Sequence, residues 1–248
     1  MISRAILYSP AARCCALLAL AAPLLAQTTA PGFHYAETNF LAAQRQFRAQ
    51  PTNAIPFAAA AFDRAEFATN DTERAALATA AIAPLREFLS RQPKSAAAHY
   101  YLAMNLGQLA RTKTLGALRL VDEMEIEFKT AITLDPHLDH AGPDRNLGQL
   151  YFQAPGWPAS VGSNSKARKH LDHAVELAPD FPDNHLCLLE AAVSWRDKKI
   201  LTRELAGLQT NWPSAQTNYS GVAWDAAWHD WEKRRTDFTA RARLILAK

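Results

Sequence analysis

Five prolines recur along this chain of 248 residues at near-constant spacing. Pro51, Pro93, Pro136, Pro179 and Pro213 stand 42, 43, 43 and 34 residues apart. Ahead of four of them the chain repeats one pattern. A small or apolar residue is followed four and seven positions later by apolar residues, and five further on by the proline. The clearest copy is Ala167, Leu171, Ala174, Pro179, and a second is Met124, Phe128, Ala131, Pro136. Leu201, Leu205, Leu208, Pro213 is a third, and Ala81, Leu85, Phe88, Pro93 is a looser fourth. One apolar residue per turn, closed by a residue that cannot continue a helix, describes the second half of a helical hairpin. Such hairpins bury their apolar faces only against neighbours, and their stacks build binding surfaces more often than catalytic centres.

The first halves of the hairpins agree with this reading. Leu147-Gly148-x2-Tyr151 matches the L-G-x2-Y element of a tetratricopeptide repeat. The segments starting at His99 and His185 put a histidine at that pattern's large aromatic position, with Leu102 and Leu188 at its leucine. The last repeat keeps the 13-residue step between its two helices, from Leu188 to Leu201. The two before it are longer by 9 and 7 residues, inserted between the helices. The chain thus resembles tetratricopeptide repeat proteins over residues 53–213. The expected fold is all-α, a tetratricopeptide-like solenoid of antiparallel hairpins.

The N-terminus reads as a removable export signal over residues 1–26, with a retained N-terminal anchor as the alternative. Arg4 and Arg13 precede the short apolar run CCALLALAAPLLA, and Ala26 is the cleavage candidate. The run is broken by Pro23 and is short for a membrane span. Removing it takes two cations and no acids from a formal net charge of +3. The nearly neutral remainder has no whole-molecule attraction for nucleic acid. It keeps one cysteine, Cys187, within an apolar helix, so no internal disulfide is expected and an inert buried thiol is.

Residues 27–52 read as a leader followed by a helix from Tyr35 to Gln50, and residues 214–248 as a C-terminal capping helix. A helix starting near Asn70 and running to about Arg91 contains Pro84, where a kink is expected. The final helix carries Trp224, Trp228, Trp231, Phe238 and Ile245 on one stripe and six cations elsewhere. The stripe is expected to close the stack, and the cations to be a solvated face, with a role on anionic lipid or an acidic partner as the alternative.

His-Leu-Asp-His occurs twice, at 137–140 and 170–173. Histidines three apart can share a helix face, as metal ligands do. The first pair straddles the turn after Pro136 and the second flanks an apolar face, so ordinary inter-helix histidines are expected. No nucleophile elbow, H-E-x-x-H pair or phosphate loop is present. The expectation is a non-enzyme with no cofactor and no metal site.

The segment from Ala154 to Ser165 is the most distinctive loop, with two prolines and two glycines around Trp157. Trp157 is expected either to pin the loop to the stack or to wall a ligand site beside Tyr151 and Phe152. The same stretch carries a family resemblance. Asp135-Pro136, Gly142, Leu147-Gly148, Leu150-Tyr151, Pro155-Gly156, Pro158, Ser160-Val161-Gly162, Lys166-Ala167, Leu171, Ala174, Leu177 and Pro179-Asp180 form its pattern. Over residues 95–195 the chain resembles the exported tetratricopeptide proteins associated with TRAP transporters. A similar arrangement occurs in eukaryotic microtubule-dynamics regulators of tetratricopeptide type. The first resemblance implies a periplasmic location, a homo-oligomer, and a solute-binding protein as partner. The chain departs from that family in having no cysteine placed for lipidation, since Cys14 and Cys15 precede most of the apolar run.

In ordinary tetratricopeptide stacks the first helices face the concave side. Transferred by motif, that face comprises Tyr100, Met104, Gln108, Arg145, Gln149, Phe152, Gln153, Asp183 and Glu190. The candidate ligand or partner site is Tyr100, Met104, Arg145, Gln149, Phe152, Trp157 and Glu190. Arg145 is the expected anchor for a carboxylate, on a protein or a small organic ligand. An envelope scaffold without a small ligand is the alternative function.

Overall fold

The computed structural model describes residues 32–113 and 116–248, and the export signal expected over residues 1–26 lies outside them. The described residues form ten α-helices and one 3-10 turn, with no strands. The chain divides into two compact units, and the boundary falls between Ala131 and Ile132.

The first unit holds α1 (Phe33–Ala49), the 3-10 turn (Pro51–Asn53), α2 (Ala54–Ala65), α3 (Asp71–Arg91), α4 (Ala96–Ala110) and most of α5 (Ala117–Leu134). α1 packs on α2, α2 on α3, α3 on α4, and α2 also reaches α4. Asn70 starts α3 by accepting the Glu73 N–H at 2.9 Å, while Glu73 accepts the Thr69 N–H at 2.7 Å. Phe47 of α1 stacks on Phe57 of α2 at 4.9 Å. Ala81 and Leu85 of the α3 stripe and Met124, Phe128 and Ala131 of the α5 stripe are fully buried, whereas Phe88, the third member of the α3 stripe, is half-buried.

The second unit holds the end of α5, then α6 (Leu138–Gln153), α7 (Asn164–Leu177), α8 (Pro182–Trp195), α9 (Lys198–Asn218) and α10 (Asp225–Leu246). Ala167, Leu171 and Ala174 of α7 are fully buried. The tryptophan stripe of α10 packs as expected. Trp231 and Phe238 are buried, and Trp231 meets Phe181 edge-on at 5.4 Å at the start of α8.

The punctuating prolines divide into two kinds. Pro51, Pro93, Pro136 and Pro179 each lie two residues beyond a helix end. Pro84 and Pro213 instead lie inside α3 and α9. The expectation that Pro213 ends its helix is therefore corrected. Beyond it Ala215 and Tyr219 are buried in the core shared with α10, and that burial outweighs the one lost backbone bond.

The histidines at the aromatic position of the repeat have a common role. His185 of α8 reaches Pro179 O with Nε2 at 2.8 Å and Glu204 of α9 with Nδ1 at 2.6 Å. His99 of α4 does the same in the first unit. Its Nε2 is 2.9 Å from Pro93 O, and its Nδ1 bonds Glu127 of α5. Each ring ties the proline turn before its helix to an acid on the helix after it, a bond pattern that tryptophan could not make. Gly207 of α9 gives His185 its space, since a β-carbon there would stand 2.9 Å from Cε1.

Candidate functional site

Two features of the second unit depart from plain hairpin geometry, and both flank α6. The first is at its start. After Pro136 the chain passes through three consecutive left-handed residues, Asp139 (φ 51°), His140 (φ 55°) and Ala141 (φ 62°), before the regular helix begins at Gly142-Pro143. None is glycine, and the left-handed conformation costs roughly 1–2 kcal/mol for each such residue. Pro143 suits the first turn of the regular helix, where no N–H is needed.

Arg145 holds this turn. Its Nη1 donates to His140 O at 3.1 Å and to Asn184 Oδ1 at 2.8 Å, and its Nη2 lies 3.4 Å from Asp139 Oδ2. Nε lies 3.3 Å from Asp183 Oδ2. Asn184 Nδ2 donates to His140 O at 3.1 Å and to Ala174 O at 2.9 Å. The His140 ring stacks on Phe181 at 4.5 Å with Tyr219 edge-on at 5.2 Å, and the Arg145 guanidinium lies 5.0 Å over Phe181. Burial lowers the His140 pKa against the opposing pull of Asp139. Burial also raises the Tyr219 pKa, and its hydroxyl donates to Asp180 at 3.0 Å.

A charged network continues from Asp183. Arg234 of α10 donates to Asp183 Oδ1 at 2.6 Å, and it lies 3.3 Å from Asp230 and 3.8 Å from Glu190. Burial raises the Glu190 pKa, with Arg234 opposing. Cys187 sits in this network fully buried, and burial followed by the Asp183 charge pushes its thiol up to about 12. That makes it an inert thiol rather than a nucleophile.

The second feature follows α6. The loop of residues 154–163 is internally bonded. Gly162 N–H donates to Pro155 O and Ser163 N–H to Tyr151 O, both at 2.9 Å, and Ala159 N–H donates to Gly156 O at 3.0 Å. Gly162 allows the loop to close on itself, because a β-carbon there would strike Ala154 O and Pro155 O. The Trp157–Pro158 bond is cis. On this loop Trp157 stands 88% exposed, so it does not pin the loop to the helices.

The other expected site residues are placed as follows. Tyr100 and Met104 belong to the first unit and are buried, Tyr100 against Tyr101 at 5.1 Å and Phe128 at 6.2 Å. In the second unit Arg145 and Gln149 are fully buried, and Gln149 Nε2 donates to Cys187 O at 3.3 Å. Phe152 is half-buried edge-on to Trp195 at 5.8 Å. Glu190 is partly exposed and turned to Arg234. The expectation of Arg145 as an open carboxylate anchor is therefore corrected, because its guanidinium is taken up by the turn and by Asp183. Of the seven candidates, Trp157 alone stands mostly in solvent.

The two His-Leu-Asp-His segments part company. His140 enters the aromatic stack, whereas His170 and His173 share Asp144, with Nδ1 distances of 2.7 and 3.0 Å to its two oxygens. Among the described residues no group of three or more His, Cys, Asp or Glu side chains is arranged to hold a metal ion. Sequence reading missed the left-handed turn and Asn184. The Gly142-Pro143 dipeptide marks a turn, but nothing in it signals three left-handed residues ahead. No protein-family model matches the chain, and no curated protein matches it.

Proposed function

We propose that this protein is a non-enzymatic helical-repeat adaptor, exported to the cell envelope, that engages a protein partner through the loop of residues 154–163. The observation that carries the reading is Trp157, held out in solvent on a loop whose backbone is bonded to itself and to α6. A large apolar side chain loses little conformational entropy on docking when its support is already shaped. Tryptophan is also among the residues most enriched where binding energy concentrates. The internal engagement of Arg145 favours a protein partner over a small carboxylate ligand.

The partner class follows from the sequence resemblance to TRAP-associated tetratricopeptide proteins, which names a solute-binding protein of a TRAP-type uptake system. Export follows from the basic and apolar character of residues 1–26. The test is titration calorimetry of the purified chain against that solute-binding protein. Trp157→Ala is expected to weaken binding by about 2 kcal/mol or more with an unchanged melting temperature. Equal affinity for mutant and wild type would remove the loop from the contact. Absence of binding in both would remove the uptake system and leave an envelope scaffold as the function.

A further inference from the structure

The last turns of α8 and α10 form an open groove of about 420 Å3 in the second unit. Val193, Leu244 and Ile245 form its apolar part, and Arg196, Arg241 and Lys248 supply its charge. No carboxylate side chain lines it. Of the nearby acids, two face cations outside the groove and one pairs with its Arg241. Glu190, one turn earlier on α8, lies 3.8 Å from Arg234. Asp197, in the turn after α8, accepts from Arg168 at 2.7 Å and from the Ile200 N–H at 3.1 Å. Asp237 lies 3.4 Å from Arg241 on the same helix, in an exposed pair of the kind that contributes little.

Two further exposed cations, Lys198 and Lys199, follow directly on the α8–α9 turn. Leu244 is 68% exposed beside the groove's cations. A merely solvated basic face gains nothing from an exposed leucine. An acidic polypeptide would answer the cations, but it would cover Leu244 only if it also placed an apolar side chain there. An anionic bilayer answers both, with phosphates for the cations and the hydrocarbon boundary for the leucine.

We infer that this groove docks the protein on a membrane surface rich in anionic phospholipids. Arg196, Arg241 and Lys248 meet headgroup phosphates, and Leu244 reaches the acyl boundary. Trp157 does not line the groove, so the inference stands apart from the partner contact proposed above.

Flotation of the full chain with vesicles tests it, comparing phosphatidylcholine alone with phosphatidylcholine carrying a third phosphatidylglycerol. The wild type is expected to prefer the anionic vesicles and to lose that preference as salt is raised. Each of Arg196→Gln, Arg241→Gln and Lys248→Gln is expected to weaken anionic binding about fivefold. Leu244→Ser, at an exposed position, is expected to weaken it further without moving the melting temperature. Trp157→Ala is expected to leave it intact, which separates this result from failure of the partner contact. Equal flotation of the triple variant and the wild type overturns the inference. So does equal anionic binding by Leu244→Ser and the wild type, which would leave a charge-only contact and assign the groove to an acidic protein.

Discussion

Gly148 of α6 lies directly under Leu171 of α7. A β-carbon at position 148 would stand 2.7 Å from Leu171 Cγ and 3.1 Å from its backbone nitrogen. The closest approach of these two helices is therefore set by a missing methyl group, and Leu171 fills the space fully buried.

Gly148→Ala is expected to destabilise the second unit by about 1–3 kcal/mol, because the backbone nitrogen of Leu171 cannot yield as a side-chain tip can. Thermal melting measures this. Gly156→Ala is the control, since a β-carbon there meets only Gly162 O, at 3.7 Å, and should leave the melt unmoved.

Arg145→Met is expected to cost roughly 3 kcal/mol or more, the range found when one partner of a buried ion pair is removed. Asp139 and the His140 carbonyl would lose a donor at the strained turn. Denaturant unfolding checks the magnitude. A loss below about 0.5 kcal/mol would show that the turn holds itself without the guanidinium.

The His140 environment predicts a dependence on pH. Its pKa is lowered in the folded protein below the ordinary value of 6.5, first by burial and also by Arg145, while Asp139 and Asp180 oppose. The unfolded chain therefore takes up the proton more readily. This group's contribution is complete above pH 6.5 and is lost as the pH falls through the folded pKa. His140→Phe keeps a ring for the stack on Phe181 and removes the titration. The melting temperature of the variant is expected to fall less than that of the wild type between pH 7.5 and 5.5. Parallel falls would contradict the assignment.

Cys187, with its thiol pushed up to about 12 and its side chain fully buried, is expected to resist alkylation in the native state. Labelling with iodoacetamide at about pH 8 should proceed only as fast as the protein opens, and rapidly in denaturant. Prompt stoichiometric labelling under native conditions would show an access route to the core.

The apolar stripes could be read from spacing because burial of one residue per turn leaves a period in the sequence. Leu171 and Phe128 are buried as that period demands. The polar residues carried no such signal. Arg145 and Gln149 occupy positions that face a groove in an ordinary repeat, yet both are buried here. What internalises Arg145 is Asn184, 39 residues away, together with a left-handed turn, and neither follows a period. Trp157 was legible as important but not in direction, since a Pro/Gly loop fixes its own shape without revealing which side meets solvent. Pro213 misled because a local helix breaker was overruled by distant packing at Tyr219.

The histidine ties at His99 and His185 have a consequence for how such a chain can change. Each ring grips the turn six residues before it, but the acid it meets is 28 residues ahead in one case and 19 in the other. The joint thus ignores how much chain separates the two helices of a hairpin. Residues can be added or deleted there while the angle between successive helices stays under the control of the same three groups. A lineage carrying this tie is free to grow new loops at that one edge without redesigning its scaffold.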